Sequence, residues 1–497
     1  MLRAILISAI TLNLGLLLGR LSGFVREAMV AASFGVSFEA DIVVLILTVP
    51  DLMVNMLMGG AMVTVLVPAL SQSPQHARRI LYQTAILSGL VFSCIAVLFI
   101  WQAQLLVSIL LPGFTPQQVQ TAASVLTPVM WFIPITVLAT ATAAYLQSQN
   151  RFFVASLGTL VVNASVILGL YLILMQWMAM PALAIFVLLG GFLRLASQLF
   201  SMRIRFYPLQ GLKPWLLDRQ FFVRYGHAMA SGSLLFVFPV IARAYASYEN
   251  EGSVAMLNYA IRLVELPMAV CIGFLGIVLF PRLSQTFLAD PEMHERYIRY
   301  GIQATLALSV IAAAMLIPLS SEYAGFVYGY GNMSVENVAR VAELVSIGLL
   351  VLPLQGLTTY NTWVFYSRNV TRAPMIINAA GLGALVLLLH FRVFGDGLSG
   401  IMLGLVASFA LILLLQWLRL RIEQINFSEV YLDPAFLGGL GCAVVICLLS
   451  GSWIASLQQH LLLKILLGMF AAMVCLLLLA MFYPQIRKNF WARLENG

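Results

Sequence analysis

Apolar residues run in blocks of about 20 or more along almost the whole chain, longer than a buried strand and long enough to cross a bilayer. Short islands of proline, glycine and charge separate the blocks. Within a block the apolar positions are continuous rather than alternating, which selects membrane-spanning helices over barrel strands. Fourteen spans are predicted, near 4–32, 40–70, 80–111, 119–147, 152–176, 180–200, 221–245, 253–284, 300–321, 338–366, 374–391, 397–418, 434–454 and 462–483. Several are longer than a bilayer requires, so they are expected to tilt or bend.

The pattern repeats. VLVPALSQ at 65–72 returns as VLFPRLSQ at 278–285, and at the same offset Gly60 matches Gly273. The second span therefore corresponds to the eighth, which gives six spans per half in the same orientation. Such a parallel repeat is common in transporters that rock two halves about a central site. The expected organisation is an N-terminal six-helix lobe over 1–200, a basic linker over 201–224, a C-terminal six-helix lobe over 225–421, and two extra helices with a tail over 422–497.

Composition sharpens the class. The chain is 62% hydrophobic and 9% charged, whereas soluble domains run near 25% charged. The fold class is an all-α polytopic membrane protein. The net charge of +8 would hint at nucleic acid in a soluble protein. Here 19 of the 27 basic residues fall in alternate connections and at the termini. That bias places both termini in the cytoplasm and leaves no role for nucleic acid. Arg3 precedes a run too long for a signal peptide, so an uncleaved first helix is expected. The five cysteines lie in apolar runs without metal or redox spacing, and the five histidines are scattered. No metal or cofactor is expected, and no lysine follows a glycine-rich loop that could cradle a nucleotide.

Candidate chemistry is concentrated between Gly15 and Pro68, where Arg20, Arg26, Glu27, Asp41 and Asp51 interrupt apolar sequence. A charge near mid-membrane costs roughly 3 kcal/mol even on a lenient scale, so such residues are functional candidates facing a bundle interior or cavity. Gly15, Gly19 and Gly23 recur at four-residue spacing and would let another helix approach one face closely. Arg20 and Arg26 are about 120° apart on a straight helix. Arg26 reads either as a cavity ligand or as a side chain snorkelling to the interface with Glu27 or Asp41. Asp41 reads as a charge partner or a helix-start carboxylate. Asp51, after Pro50, reads as the cap of a broken half-helix. Arg262 and Glu265 share a face in the eighth span, as an ion pair or as an anion contact tuned by a carboxylate. Arg194 and Arg243 read as snorkelling anchors near span ends. The longest outer connection, about 322–337, carries Glu322 and Glu336 as its only charges. It is short for the catalytic loop of a membrane enzyme, so no enzymatic activity is expected.

The stretches GRLSGFVREAMVAASFG, EADIVVLILTVPDL, GGAMVTVLVPALSQ and EGSVAMLNYAIRLVELPMAVCIGFLGIVLFPRLSQ together resemble the MurJ/MviN lipid II flippase family of the multidrug/oligosaccharidyl-lipid/polysaccharide (MOP) exporter superfamily. The resemblance extends over essentially the whole chain. It implies a V-shaped, MATE-like bundle that alternately opens a central cavity. It also implies transport of a polyprenyl-diphosphate-linked glycan lipid from the cytoplasmic to the outer leaflet of the bacterial inner membrane, for peptidoglycan or exopolysaccharide assembly. The energy source would be a coupling ion or the membrane potential. The family's cavity arginines match Arg20, Arg26 and Arg262, implying substrate binding, and its acidic positions match Asp41 and Glu265, implying gating or charge pairing. After the proline of span two the family usually has two arginines and then a glutamate. Here Val54, Asn55 and Gly59 stand instead, and Ala242 stands where asparagine is common in span seven. These departures favour a related lipid-linked saccharide as a competitor to lipid II. The alternative reading is a MATE-like drug/cation antiporter, which would want a carboxylate-rich cavity in place of these arginines.

Overall fold

The structure is a computed structural model and describes residues 2–56, 62–72, 75–149, 151–202, 234–368, 370–422 and 434–482. The expected linker falls largely outside the described residues, as do the start of span seven, the C-terminal tail, Gly59 and the side chains of Val54 and Asn55. The described residues form helices and no strands. They group into two compact units, Met1–Ala255 and Met256–Gly497.

The first unit begins with α1 (Leu2–Phe34), α2 (Phe38–Met56), α3 (Met62–Gln72), α4 (Ala77–Trp101) and α5 (Ala103–Leu110). It continues through α6 (Pro116–Val129), α7 (Phe132–Ser148), α8 (Phe152–Ser156), α9 (Gly158–Leu174), α10 (Leu183–Met202) and α11 (Leu234–Ala246). The glycine stripe of α1 faces α8 and α9. A Cβ on Gly15 would run into the Ser156 side chain, and one on Gly19 would lie 3.1 Å from the Thr159 Cβ. Only a side-chain-free face allows this approach, which is how small residues hold helices together in lipid. Helix α7 carries apolar side chains and small threonines around its circumference and is accordingly buried, packing on α3, α4 and α10. The sequence TPQQ starts α6 with a capping box. Gln118 N–H donates to Thr115 Oγ1, Thr115 N–H donates to Gln118 Oε1 at 2.9 Å, and Pro116 takes the first turn.

The second unit contains most of α12 (Ser253–Ala289), then α13 (Pro291–Leu316), α14 (Ser320–Tyr328), α15 (Val335–Gly348) and α16 (Val351–Ser367). It ends with α17 (Arg372–His390), α18 (Gly397–Ile422), α19 (Pro434–Ser456) and α20 (Leu461–Phe482). Helix α13 packs on α16 and also on the C-terminal pair, through a core that includes Ile311, Met315, Leu319, Cys447 and Cys475. The opposite faces of α19 and α20 leave Trp453, Leu466 and Phe470 exposed. A water-soluble fold would not present this surface, and lipid covers it without penalty.

The chain is thus an all-helical, multi-pass membrane protein. Helix occupies part of every predicted span interval. Among the described residues nine helices are long and apolar enough to cross a membrane, or ten if α15 and α16, bent by 44°, count as one broken span. The remaining intervals hold shorter helices such as α9 and α11, or helices only partly described. Pro68 and Pro281, the prolines of the repeated motif, both lie inside helices, in α3 and α12. One expectation changes. The start of the 322–337 connection is not an open loop but α14, and Glu322 is buried there.

Candidate functional site

The polar centre of the first unit is built from α1, α2, α9 and α10. Arg26 is only 5% exposed, in a helix whose neighbouring positions are mostly apolar. Its Nη2 donates to Glu27 Oε1 at 2.7 Å and to Asp51 Oδ2 at 2.9 Å. Its Nη1 donates to Asp51 Oδ1 and to Asn163 Oδ1, both at 3.2 Å. Asp51 therefore receives Arg26 with both oxygens, in the two-pronged geometry that guanidinium groups offer to carboxylates and phosphates alike. Asn163 completes the frame. Its Nδ2 donates to the Gly19 carbonyl at 3.1 Å and to Ser22 Oγ at 3.0 Å, so it ties α9 to α1 beside the glycine stripe. Asn163 also stands 3.4 Å from where a Gly23 Cβ would be. The small residues on α1 thus bring the amide of α9 within reach of Arg26.

A cavity of about 30 Å³ adjoins this cluster, lined by Arg26, Asp51 and Asn163 with Leu47, Phe132 and Arg194 among its other walls. Arg194 is fully buried, and its Nε would lie 2.7 Å from a Cβ on Gly158. Glycine at that position makes room for the guanidinium stem. The snorkelling expectation for Arg194 is therefore wrong. Its helix turns the side chain inward between α7 and α9 rather than along the lipid face. Around Arg26, two carboxylates and an amide oxygen lower the cost of holding the charge in a low-dielectric interior.

Arg243 also departs from the anchor reading. It is buried, with Nη1 donating to Thr48 Oγ1 at 2.7 Å and Nε donating to the Pro239 carbonyl at 3.0 Å. Asp41 is 1% exposed and holds backbone rather than an arginine. It accepts from the N–H groups of Gly252 and Ala255, both at 2.7 Å. Gly252 has φ +83, a left-handed turn that suits glycine and points its N–H at the carboxylate. Asp41 lies in the first turn of its own helix α2 and caps the first turn of α12 as well.

Arg20 is exposed on α1, whereas Arg26 is buried, and their angular separation on the helix allows this. In the second unit, Arg262 Nη1 donates to Glu265 Oε2 at 3.0 Å across one turn of α12, with both side chains partly exposed. Tyr323 Oη donates to the Leu263 carbonyl and Tyr328 Oη to the Tyr259 carbonyl, fixing this stretch of α12 against α14. Asn163 and the inward course of Arg194 were the residues missed by sequence reasoning. An amide inside TLVVNASVILG and an arginine followed four residues later by Gln198 were the available signals.

A family model described as the lipid II flippase MurJ matches residues 30–476. The chain belongs to the MurJ lipid II flippase family. Relatives in this family include the probable lipid II flippase MurJ of Aquifex aeolicus (strain VF5), 25% identical over 452 residues, 87% of this chain and 88% of the relative. The lipid II flippase MurJ of Burkholderia cenocepacia is 24% identical over 383 residues, 73% of each chain. Among solved structures, a lipid II flippase MurJ in an inward closed conformation superposes with a TM-score of 0.81 at 18% identity, covering 96% of this chain and 99% of that one. An inward-facing multidrug resistance MATE transporter of the MOP superfamily gives 0.70 at 14% identity, covering 84% and 99%. The MATE likeness is one of fold alone. The family match sets the drug/cation antiporter reading behind that of a lipid-linked precursor flippase.

Proposed function

We propose that this MurJ-family protein moves a polyprenyl-diphosphate-linked saccharide from the cytoplasmic to the outer leaflet of the bacterial inner membrane by alternating access. No bond is made or broken in this reading, so the protein is a transporter rather than an enzyme. The observation that carries it beyond the family is the Arg26 fork, buried among the helices of the first unit and already receiving an oxyanion with two oxygens. A diphosphate offers the same oxygen geometry. Arg20, Arg26 and Arg262 bind the diphosphate and sugar head group, Glu265 steadies Arg262, and Asp41 holds the start of α12 during gating. Helices α19 and α20 accommodate the polyprenyl tail. A coupling ion or the membrane potential supplies the energy.

The cargo follows from Val54, Asn55 and Gly59. Two uncharged side chains stand where the family usually has arginines, and this departure favours a related polyprenyl-diphosphate-linked saccharide as a competitor to lipid II. Vesicles containing the purified protein and an undecaprenyl-diphosphate-linked saccharide should move that lipid between leaflets. In a host depleted of its own lipid II flippase, the chain should leave growth unrestored. Full rescue would make lipid II the cargo, and vesicles with no protein-dependent movement of any lipid-linked saccharide would defeat the flippase reading.

The basic-residue bias supports cytoplasmic termini. Ser334, the N-cap of α15, and Ser456, the end of α19, are both exposed. In a cysteine-less background, Ser334→Cys and Ser456→Cys should react with an impermeant thiol reagent from outside. Gln210→Cys should react only after the membrane is opened. The reverse pattern would invert the topology.

A further inference from the structure

We infer that Asp51 is a built-in competitor for the substrate phosphate on Arg26, and so a residue that sets affinity and substrate selection. The inference rests on the reading of Arg26 as a substrate ligand and adds to it. Asp51 occupies both Nη groups of Arg26, at 3.2 and 2.9 Å. A phosphate bound by the same fork needs those two N–H donors. The adjoining cavity is about 30 Å³, room for about two water molecules at roughly 10–15 Å³ each and too little for a diphosphate.

The direction of approach is also defined. The side chains of Arg26 and Glu27 are 6% and 3% exposed, whereas that of Asp51 is 29% exposed. An incoming anion therefore meets Asp51 before it meets Arg26. Displacement does not leave Arg26 without a counter-charge, because Glu27 holds Nη2 at 2.7 Å from the same helix and Asn163 holds Nη1 from α9. Asp51 is on α2, a different helix, so it can leave while this part of the frame remains. Of these contacts, those from Glu27 and Asn163 stay and that from Asp51 exchanges. A ligand with a single weak anionic group would lose the exchange, and a diphosphate with several oxygens would win it. With Val54 and Asn55 nearby in the chain instead of arginines, the competition at Arg26 carries more of the selection.

The test uses the full chain in lipid nanodiscs with undecaprenyl diphosphate as the probe. Asp51→Asn keeps the shape and one acceptor but removes the competing charge, and Asp51→Ser removes the acceptor pair altogether. Both should bind the probe about tenfold tighter than wild type, equivalent to about 1.4 kcal/mol. Adding Arg26→Gln to Asp51→Asn should abolish the gain. Thermal unfolding of each variant confirms that it is folded, and Asp51→Ser serves if Asp51→Asn is not. A merely structural Asp51 would give unchanged or weaker binding on replacement. That result, with Arg26→Gln still weakening the probe, would overturn the inference and leave Arg26 as a ligand. If Arg26→Gln changes binding in neither background, the reading of Arg26 itself fails and the inference with it.

Discussion

Replacing Arg262 and Glu265 together by leucine should leave a folded, membrane-inserted protein that no longer moves its substrate. The two side chains meet at 3.0 Å across one turn of α12 and are 28% and 42% exposed. The pair is thus neither dry nor fully solvated. Removing both charges leaves neither member of the pair stranded, and replacement of an ion pair by apolar groups often breaks even in stability. Removing one alone costs less than it would in a sealed interior, because the remaining charge retains some solvent. Stability and transport should therefore separate in the double variant. Loss of a charge-assisted contact worth about 1.5–3 kcal/mol should reduce transport by about tenfold or more. Arg262→Lys should also impair transport, since an ammonium is a point charge and cannot reproduce a two-pronged contact with phosphate oxygens. The measurement is glycan export alongside protein abundance in membranes. Normal export by the double-leucine variant would reduce Arg262 to a structural partner of Glu265.

The second large effect is expected at the C-terminal pair of helices. Lys464 Nζ donates to Glu322 Oε1 at 3.1 Å and to the Ala455 carbonyl at 2.6 Å. Each charged side chain is 11% exposed. One contact joins α20 to α14, and the other joins α20 to the end of α19. Lys464→Leu would strand the Glu322 carboxylate, and Glu322→Leu would strand the ammonium. Either single change should cost about 3–5 kcal/mol, the usual penalty for breaking a buried pair from one side. The combined Lys464→Leu and Glu322→Leu variant should lie much closer to wild type, because no unpaired charge remains. Unfolding of the purified protein in detergent, followed as loss of helical signal, reads the difference. Single variants as stable as wild type would show that water reaches the pair and screens it.

Local periodicity made some of this site legible. Four-residue spacing put Gly15, Gly19 and Gly23 on one face of α1, and that face receives α8 and α9. Three-residue spacing placed Glu265 within reach of Arg262, and they pair. Hydropathy identified the class, because a chain with so few charges has no soluble way to bury its apolar surface. All of these follow from helix geometry or composition, which need only neighbouring residues or none.

The partners decided by tertiary structure come from far along the chain. Arg26 takes Asp51 from α2 and Asn163 from α9. Asp41 takes backbone amides of Gly252 and Ala255, and Lys464 takes Glu322. No spacing rule connects such positions, because the choice depends on which faces of which helices pack together. Arg194 shows the same limit. Its sequence position suits a snorkelling side chain, and only the packing of α10 against α7 and α9, with room left at Gly158, turns it inward. The sequence alone determined the membrane class and the positions along the chain at which charges interrupt apolar runs. Tertiary packing decided which charges neutralise one another, because electrostatic partnership in a low-dielectric interior is set by distance in space rather than distance along the chain.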